Sequence, residues 1–219
     1  MISFVVPALN EEGFIDHCLE SIRKQNVEKE IIVTDGGSKD KTLEIADENA
    51  DYIIEGVRGI GKSRHKGAQQ ARGNYIAFID ADTVIKRSYS EKMRKFLEEE
   101  EFVAASSYFE ITGLRSKLIQ FLGNNHFEHM DSALLPGFNT FVETETYRKS
   151  KGFENISGED LQFSREIAKH GDTGILNEKL VKNSGRRIKR FGLTGTLLYY
   201  SKKEISRRKR NFGKSNHLD

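Results

Sequence analysis

The chain of 219 residues contains one cysteine, two prolines and no tryptophan. Because Cys18 has no second cysteine in this sequence to pair with, an internal disulfide framework is excluded and a reducing compartment is expected. Apolar runs are also short, and none approaches the roughly 20 residues that a membrane-spanning helix needs. The first residues, MISFVVPALNEE, lack a basic leader and a cleavage-like site, which predicts a first strand rather than a signal peptide. We therefore expect a soluble, cytoplasmic protein.

The net charge of +2 conceals an uneven distribution. Residues 1–185 contain 24 basic and 31 acidic side chains, whereas residues 186–214 contain eleven lysines and arginines and a single acid, Glu204. The basic C-terminal tail, residues 201–219, is either a solvated charge run or a contact for an anionic surface at the inner face of a membrane. Nucleic acid is not an expected partner, because the rest of the chain is acidic and aromatic side chains are not interleaved throughout the tail, where Phe212 is the single one.

Strand and helix patterns alternate along the first half of the sequence. The apolar runs ISFVVPAL, KEIIVTD, DYIIEG, YIAFIDAD and VAASSYFEI predict strands, and the segments between them have helical spacing, the first with Asn10 as its expected cap. This rhythm is typical of an α/β protein with a mostly parallel sheet that is buried on both faces. After about residue 113 the pattern loosens, although LRSKLIQFLGNNHFEHM and EDLQFSREIAKHG predict helices and GFNTFVET a strand.

Polar side chains cluster just after the predicted strands. In an open α/β sheet, ligands bind at the carboxyl ends of the strands, which is where Glu11, Asp35 and Arg64 are expected to lie. Asp80 and Asp82 follow the most apolar run with one alanine between them, and two carboxylates so placed repel each other unless a cation compensates them. Oxygen ligands of this kind suit Mg²⁺ or Mn²⁺. The pair therefore predicts a divalent metal site.

Four segments in order resemble the sequence blocks of family 2 glycosyltransferases: VVPALNEE, VTDGGSKDKT, SRHKGAQQARGNYIAFIDAD and GEDLQFSREI. The resemblance runs from residue 2 to about residue 200. It implies a GT-A (Rossmann-like) three-layer fold with a mostly parallel central sheet, as one domain over residues 1–200 before the tail. It also implies a donor-binding half at about 1–112, an acceptor half at about 113–200, and metal-dependent, inverting transfer of a sugar from a nucleotide-sugar donor to a glycan or lipid-linked acceptor.

The same resemblance implies roles for individual residues on the donor side. Asp35 would accept a hydrogen bond from the base, and Arg64 would help hold the nucleotide. Asp80 would lie near the ribose and the metal, while Asp82 would bind the Mg²⁺ or Mn²⁺ ion that bridges the diphosphate. The base and ribose pocket would be lined by Pro7, Ala8, Leu9 and Glu11.

On the acceptor side, the resemblance implies that Asp160 is the general base, with Glu159 beside it. Arg186 and Arg187 would contact the diphosphate or an acidic acceptor. The chain also departs from the family pattern, because Leu9 stands where an aromatic residue is common and His65 where asparagine is common. The identity of the nucleotide therefore stays open.

Two alternatives compete with this interpretation. Residues 56–63, GVRGIGKS, satisfy the pattern of a phosphate-binding P-loop, with Lys62 as its lysine, which would indicate a nucleotide hydrolase. Two strand–helix units precede this segment, however, whereas a P-loop usually follows the first strand of its domain. The second alternative is a non-catalytic relative that binds a nucleotide sugar or a glycan. Both DAD and GED are intact, which argues against it, because a binding module does not need a metal acid and a base together.

Overall fold

The computed structural model describes residues 1–111 and 134–186, which form one mixed eight-stranded sheet with helices packed on it. The strand order is β3-β2-β1-β4-β7-β6-β8-β5. Strands β1, β2, β3 and β4 are parallel neighbours, β6 is parallel to β8, and β7 and β5 run antiparallel to their partners. The strands are β1 (Ile2–Ala8), β2 (Lys29–Asp35), β3 (Tyr52–Ile54), β4 (Tyr75–Ile79), β5 (Thr83–Ile85), β6 (Ala104–Ile111), β7 (Asn139–Glu143) and β8 (Thr173–Asn183).

The helices of the described residues mostly follow the strands in alternation. They are α1 (Ile15–Arg23), α2 (Thr42–Asn49), α3 (Ile60–Gln70), α4 (Tyr89–Glu100), α5 (Thr144–Lys149) and α6 (Glu159–Ile167). The prediction of an α/β fold with a mostly parallel central sheet is confirmed.

The three-layer arrangement follows from the alternation of side chains along the buried strands. All seven residues of β1 are buried. Phe4 and Val6 pack into one apolar cluster with α1 and α4, while Val5 between them packs into a second cluster with α3 and α6. Because successive side chains of a strand point to opposite faces, a strand covered on both faces needs a continuous apolar run. The sequence ISFVVPA meets that requirement.

Two details differ from the expectations. Asn10 does not cap α1, which begins at Ile15: Asn10 has a positive φ of 54° and its side-chain oxygen accepts a hydrogen bond from the Lys39 N–H at 2.9 Å. Strands β5 and β8 were not predicted, because β5 has only three residues and the polar sequence of β8 lacks a clean alternation. These two strands pair with each other at one edge of the sheet.

The described residues include parts of both predicted halves. Strand β7, from the predicted acceptor half, lies between β4 and β6, so both halves contribute to one sheet. The boundary near residue 200, the predicted helix at 114–130, Arg187 and the tail at 201–219 lie outside the described residues, so those expectations stay predictions. Within 1–111 and 134–186, no helix has the length and apolar character needed to cross a membrane.

Candidate active site

Asp35 ends β2 at the edge where the parallel strands finish, directly beside Ala8 of β1. Its side chain is fully buried and accepts hydrogen bonds from the residues that follow it. The Gly37 and Ser38 N–H groups donate to Oδ2 at 2.7 and 2.8 Å, and the Ser38 hydroxyl donates to Oδ1. Asp35 therefore holds the turn after β2, and its contact with a nucleotide base stays a prediction.

Three residues predicted to line the base pocket lie at the end of β1. Pro7 and Ala8 are buried within the strand, whereas the side chain of Leu9 is 54% exposed. A methyl group added at Gly36 would lie 3.3 Å from Cδ1 of Leu9, so Leu9 lies against the turn that follows Asp35. The exposed side chain of Leu9 provides an apolar surface at this position. That surface is smaller than the one an aromatic ring would provide.

Arg64, on α3, joins the two predicted acidic motifs. Its Nη2 donates to Oδ1 of Asp80 at 2.7 Å and its Nη1 donates to Oε1 of Glu159 at 3.3 Å, while its own side chain is only 4% exposed. The guanidinium lies 5.3 Å from the centre of the Phe153 ring. On Gly137 an added Cβ would come 2.3 Å from Cζ of Arg64, so any larger residue there would displace the guanidinium. The contact to a nucleotide that the resemblance implies for Arg64 stays a prediction.

Asp80 lies among charges of both signs. Burial is the main cause that raises the pKa of Asp80; the guanidinium of Arg64 opposes this increase, and the charges of Asp82 and Asp160 add to it. In the same cluster, the carboxylates of Asp80 and Asp160 overcome the effect of burial and raise the pKa of Arg64. Asp80 therefore belongs to a cluster that also includes the charges of Arg64, Asp82 and Asp160.

Asp82 has different partners from Asp80. Asn183 Nδ2 donates to its Oδ1 at 3.0 Å, and the Ser184 hydroxyl donates to its Oδ2 at 2.6 Å. Both partners come from the end of β8, which β5 brings into register through the pair Thr83 and Asn183. Asp82, which the sequence predicts to bind a metal ion, is therefore held by neutral hydrogen-bond donors that lie 101 and 102 positions later in the sequence.

Glu11 completes the group of acids at this edge. Arg186 donates to both of its carboxylate oxygens, at 2.7 and 2.6 Å, and lies 5.2 Å from the centre of the Phe14 ring. Burial raises the pKa of Glu11 in spite of Arg186, and the charges of Asp82 and Asp80 contribute to the increase. Among the described residues the structure thus brings together Glu11, Arg186, Asp80 and Asp82.

The acids fit a divalent cation in part. In residues 1–111 and 134–186, no group of three or more histidine, cysteine, aspartate or glutamate side chains is arranged to hold a metal ion. Mg²⁺ typically uses only one or two protein carboxylates and completes its shell with water and phosphate oxygens. Asp80 and Asp82 supply oxygen donors of that kind at the end of β4.

Asp160 lies in the first turn of α6, immediately after Glu159. Gly158 precedes the helix with a φ of 87°, a left-handed conformation that favours glycine. The backbone oxygen of Asp160 accepts a hydrogen bond from the Ser164 hydroxyl at 2.6 Å. Arg64 bonds both Glu159 and Asp80, so it holds this turn against the end of β4. Glu159, from the predicted acceptor half, therefore lies next to Asp80, from the predicted donor half.

The P-loop alternative is not favoured by the surroundings of its glycines. An added Cβ at Gly61 would lie 2.1 Å from the backbone oxygen of Glu154, and one at Gly59 would collide with the Asn155 side chain. The Ser63 hydroxyl donates to the Val57 carbonyl at 2.8 Å. These glycines permit close packing against residues 154–155 rather than forming an open phosphate cradle. Lys62 is exposed on α3, and its approach to a phosphate stays a prediction.

Sequence reasoning did not identify Asn183 and Ser184 as part of this site. Ser184 directly precedes the segment of Arg186 and Arg187, but only the two arginines were predicted to act there, and the strand that ends at Asn183 was not predicted. Their pairing with Asp82 depends on contacts 101 and 102 residues apart in sequence. A prediction that β5 pairs with β8 would have placed Asn183 opposite Thr83 and so close to Asp82.

The chain resembles known proteins in sequence and in fold. The model of the family described as Glycosyl transferase family 2 matches residues 3–155. EpsH of Bacillus subtilis (strain 168) is 35% identical over 162 residues, which cover 68% of this chain and 47% of EpsH, so the chain spans about half the length of that relative.

Two solved structures share the fold at lower identity. The crystal structure of Staphylococcus aureus TarS 1–349 with UDP-GlcNAc is 20% identical with a TM-score of 0.68 over 84% of this chain and 58% of that one. The mannosyltransferase PcManGT from Pyrobaculum calidifontis, in complex with GDP-Man and Mn²⁺, is 18% identical with a TM-score of 0.67 over 87% of this chain and 60% of that one. With the match over most of its length and the acids assembled at the ends of its parallel strands, the chain belongs to glycosyl transferase family 2.

Proposed function

We propose that this chain carries the active site of an inverting glycosyltransferase, which moves a sugar from a nucleotide-sugar donor to a glycan or lipid-linked acceptor. The observation that carries the proposal is the Arg64 bridge, which holds the donor-side Asp80 and the first turn of α6, with Asp160, at one sheet edge. The complexes of TarS with UDP-GlcNAc and of PcManGT with GDP-Man support a nucleotide-sugar donor.

In the proposed reaction, the acceptor oxygen forms a bond to the anomeric carbon as the bond from that carbon to the diphosphate oxygen breaks. Asp160 takes the proton of the acceptor hydroxyl, which is the task of a general base on the acceptor side. The electron pair of the broken bond leaves with the nucleoside diphosphate. The guanidinium of Arg186 is bonded to Glu11 and lies close to the other acids. When it separates from Glu11, it can approach the diphosphate.

Asp82 and Asp80 would hold Mg²⁺ or Mn²⁺ in this proposal. The ion would supply positive charge to the diphosphate oxygens, on which negative charge develops. The Mn²⁺ complex of PcManGT supports such an ion.

Asp160→Asn tests the base. We expect release of nucleoside diphosphate to fall at least about 100-fold in the presence of acceptor, since general-base catalysis contributes typically 10²–10⁴-fold, while the donor still raises the melting temperature. The donor is chosen first by a thermal-shift screen of UDP-, GDP- and dTDP-sugars with and without Mn²⁺, since each of these releases a nucleoside diphosphate. A matched control is Asp16→Asn, because Asp16 is an acid in the first turn of α1.

The same experiment separates the proposal from a non-catalytic relative. If the wild-type protein binds a nucleotide sugar but releases no nucleoside diphosphate with any glycan or lipid acceptor, the binding interpretation is correct. Unchanged turnover in Asp160→Asn would remove Asp160 from the role of base and leave the transferase activity in place.

A further inference from the structure

The end of β8 provides a hydrogen-bond donor to each oxygen of the Asp82 carboxylate. Asn183 Nδ2 lies 3.0 Å from Oδ1, and the Ser184 hydroxyl lies 2.6 Å from Oδ2. The backbone is joined as well, because the Ser184 N–H donates to the Asp82 carbonyl at 3.1 Å. The carboxylate is therefore held at both oxygens by two consecutive residues of one segment.

The two donors are themselves fixed by further hydrogen bonds. The Asn183 amide also donates to the hydroxyl of Thr83, a fully buried residue, at 2.9 Å, and its oxygen accepts the Gly185 N–H at 3.1 Å. The Ser184 hydroxyl oxygen accepts the Arg186 N–H at 3.1 Å. These bonds define which way the amide and the hydroxyl face, so the plane of the Asp82 carboxylate is defined too.

Neutral donors leave the carboxylate able to bind a cation. An ionised carboxylate has about four lone-pair sites, and one hydrogen bond to each oxygen leaves a site on each oxygen available. An amide and a hydroxyl carry no charge, so the groups that bond Asp82 directly do not compensate its carboxylate, whereas Asp80 is bonded directly to a guanidinium. The charge of Arg186 acts on Asp82 without a hydrogen bond between their side chains. This is the arrangement of a metal-binding acid whose orientation is set by a surrounding layer of hydrogen bonds.

We propose that Asn183 and Ser184 are positioning residues that orient Asp82 toward a divalent cation bound together with a nucleoside diphosphate. The inference rests on the proposed function, since it assumes that a cation binds at Asp82. It assigns to the end of β8 a role in cation affinity, exerted through Asp82 and without direct contact with substrate. Loss of such surrounding hydrogen bonds typically weakens metal binding 10–100-fold.

The test is titration of Mn²⁺, followed by the electron paramagnetic resonance signal of the free ion, in the presence of whichever of UDP, GDP or dTDP the wild-type protein binds. We expect Ser184→Ala and Asn183→Ala each to weaken Mn²⁺ binding about 10–100-fold. Ser184→Thr, which keeps the hydroxyl, should restore most of the affinity. Ser88→Ala is the matched control, because Ser88 makes no side-chain capping bond at the start of α4 and lies outside the site.

Thermal melting without Mn²⁺ shows which variants are folded at the assay temperature. The two alanine variants are measured separately, so either folded variant tests the inference. Wild-type affinity in a folded Ser184→Ala or Asn183→Ala protein would overturn the inference and leave the proposed function intact. Absence of Mn²⁺-dependent nucleotide binding in the wild-type protein itself would overturn both the proposed metal site and this inference.

Discussion

Asp80 and Asp82 follow the end of β4 and are two residues apart, but their side chains lie in different surroundings. Asp80 faces the charged guanidinium of Arg64, which is almost completely buried and also contacts Glu159. Asp82 faces the neutral side chains of Asn183 and Ser184 at the edge of the sheet. A carboxylate paired with a buried cation becomes costly to the fold when that cation alone is removed, whereas neutral donors orient a carboxylate without neutralising its charge.

We therefore expect the Arg64 side to matter mainly for stability and, in the proposed metal site, the β8 side to matter mainly for cation binding. Removing one partner of a buried ion pair leaves an uncompensated charge, which is strongly destabilising. Losing a neutral hydrogen bond at a partly exposed carboxylate costs less. Substitutions on each side should therefore separate folding from ligand binding.

Arg64→Met should have the largest effect on stability. With the guanidinium gone, Asp80 and Glu159 lose their shared cation inside the protein, and we expect the free energy of unfolding to fall by about 3–5 kcal/mol. Chemical denaturation measures the change. The control is Arg94→Met, since the exposed pair of Arg94 with Glu98 should contribute only about 0–1 kcal/mol.

Adding Asp80→Asn to Arg64→Met sharpens this prediction. If the cost arises from the unpaired carboxylate, the double variant should recover part of the lost stability. A single variant as stable as the Arg94 control would show that the Asp80 side has no special structural role, and the contrast with Asp82 would disappear.

Gly137→Ala should break the Asp80 side without changing any charge. The added Cβ would lie 2.3 Å from Cζ of Arg64, so the guanidinium has to shift away from Asp80 or Glu159. We expect a loss of about 1–3 kcal/mol in the free energy of unfolding, the usual cost of overpacking. Gly13→Ala is the control, because a Cβ at Gly13 meets no atom within 4 Å. Equal stability of the two variants would contradict the close packing around Arg64.

Glu11→Gln should give the smallest effect, and it depends on pH. The folded protein holds the proton of Glu11 to higher pH than the unfolded chain, whose carboxyl has a pKa near 4.5. This group therefore contributes less to the free energy of unfolding as pH rises above about 4.5. Denaturation of both proteins from pH 4 to pH 8 should show the stability of Glu11→Gln gaining on that of the wild type. A constant difference across this range would contradict the raised pKa.

Local sequence patterns were sufficient for the central part of the fold. Strand β1 reads as a continuous apolar run because both of its faces are covered, and the strand-end position of Asp80 and Asp82 follows directly from the run before them. Asn10 misled the prediction of α1, because its side chain satisfies the Lys39 N–H instead of a helix terminus. Capping residues also serve turns, and one sequence does not distinguish the two uses.

The partners of the predicted site residues depend on distant contacts and could not be predicted. Ser184 reaches Asp82 only because β8 crosses to the edge of the sheet and pairs with the short β5. Arg64 reaches Glu159 across 95 positions of sequence. Periodicity reports on neighbours within one element, so it identifies which residues reach a sheet edge but not which ones meet there.

The close packing of Gly59 and Gly61 against residues 154–155 bears on how the protein can be divided. A fragment ending at residue 111 would expose the surface of α3 that residues 154–155 cover and would leave Arg64 without Glu159. The stretch that binds the donor in the proposed reaction is therefore not a module that could be excised and transplanted by itself. Engineering a new donor preference would have to keep both stretches of the chain together.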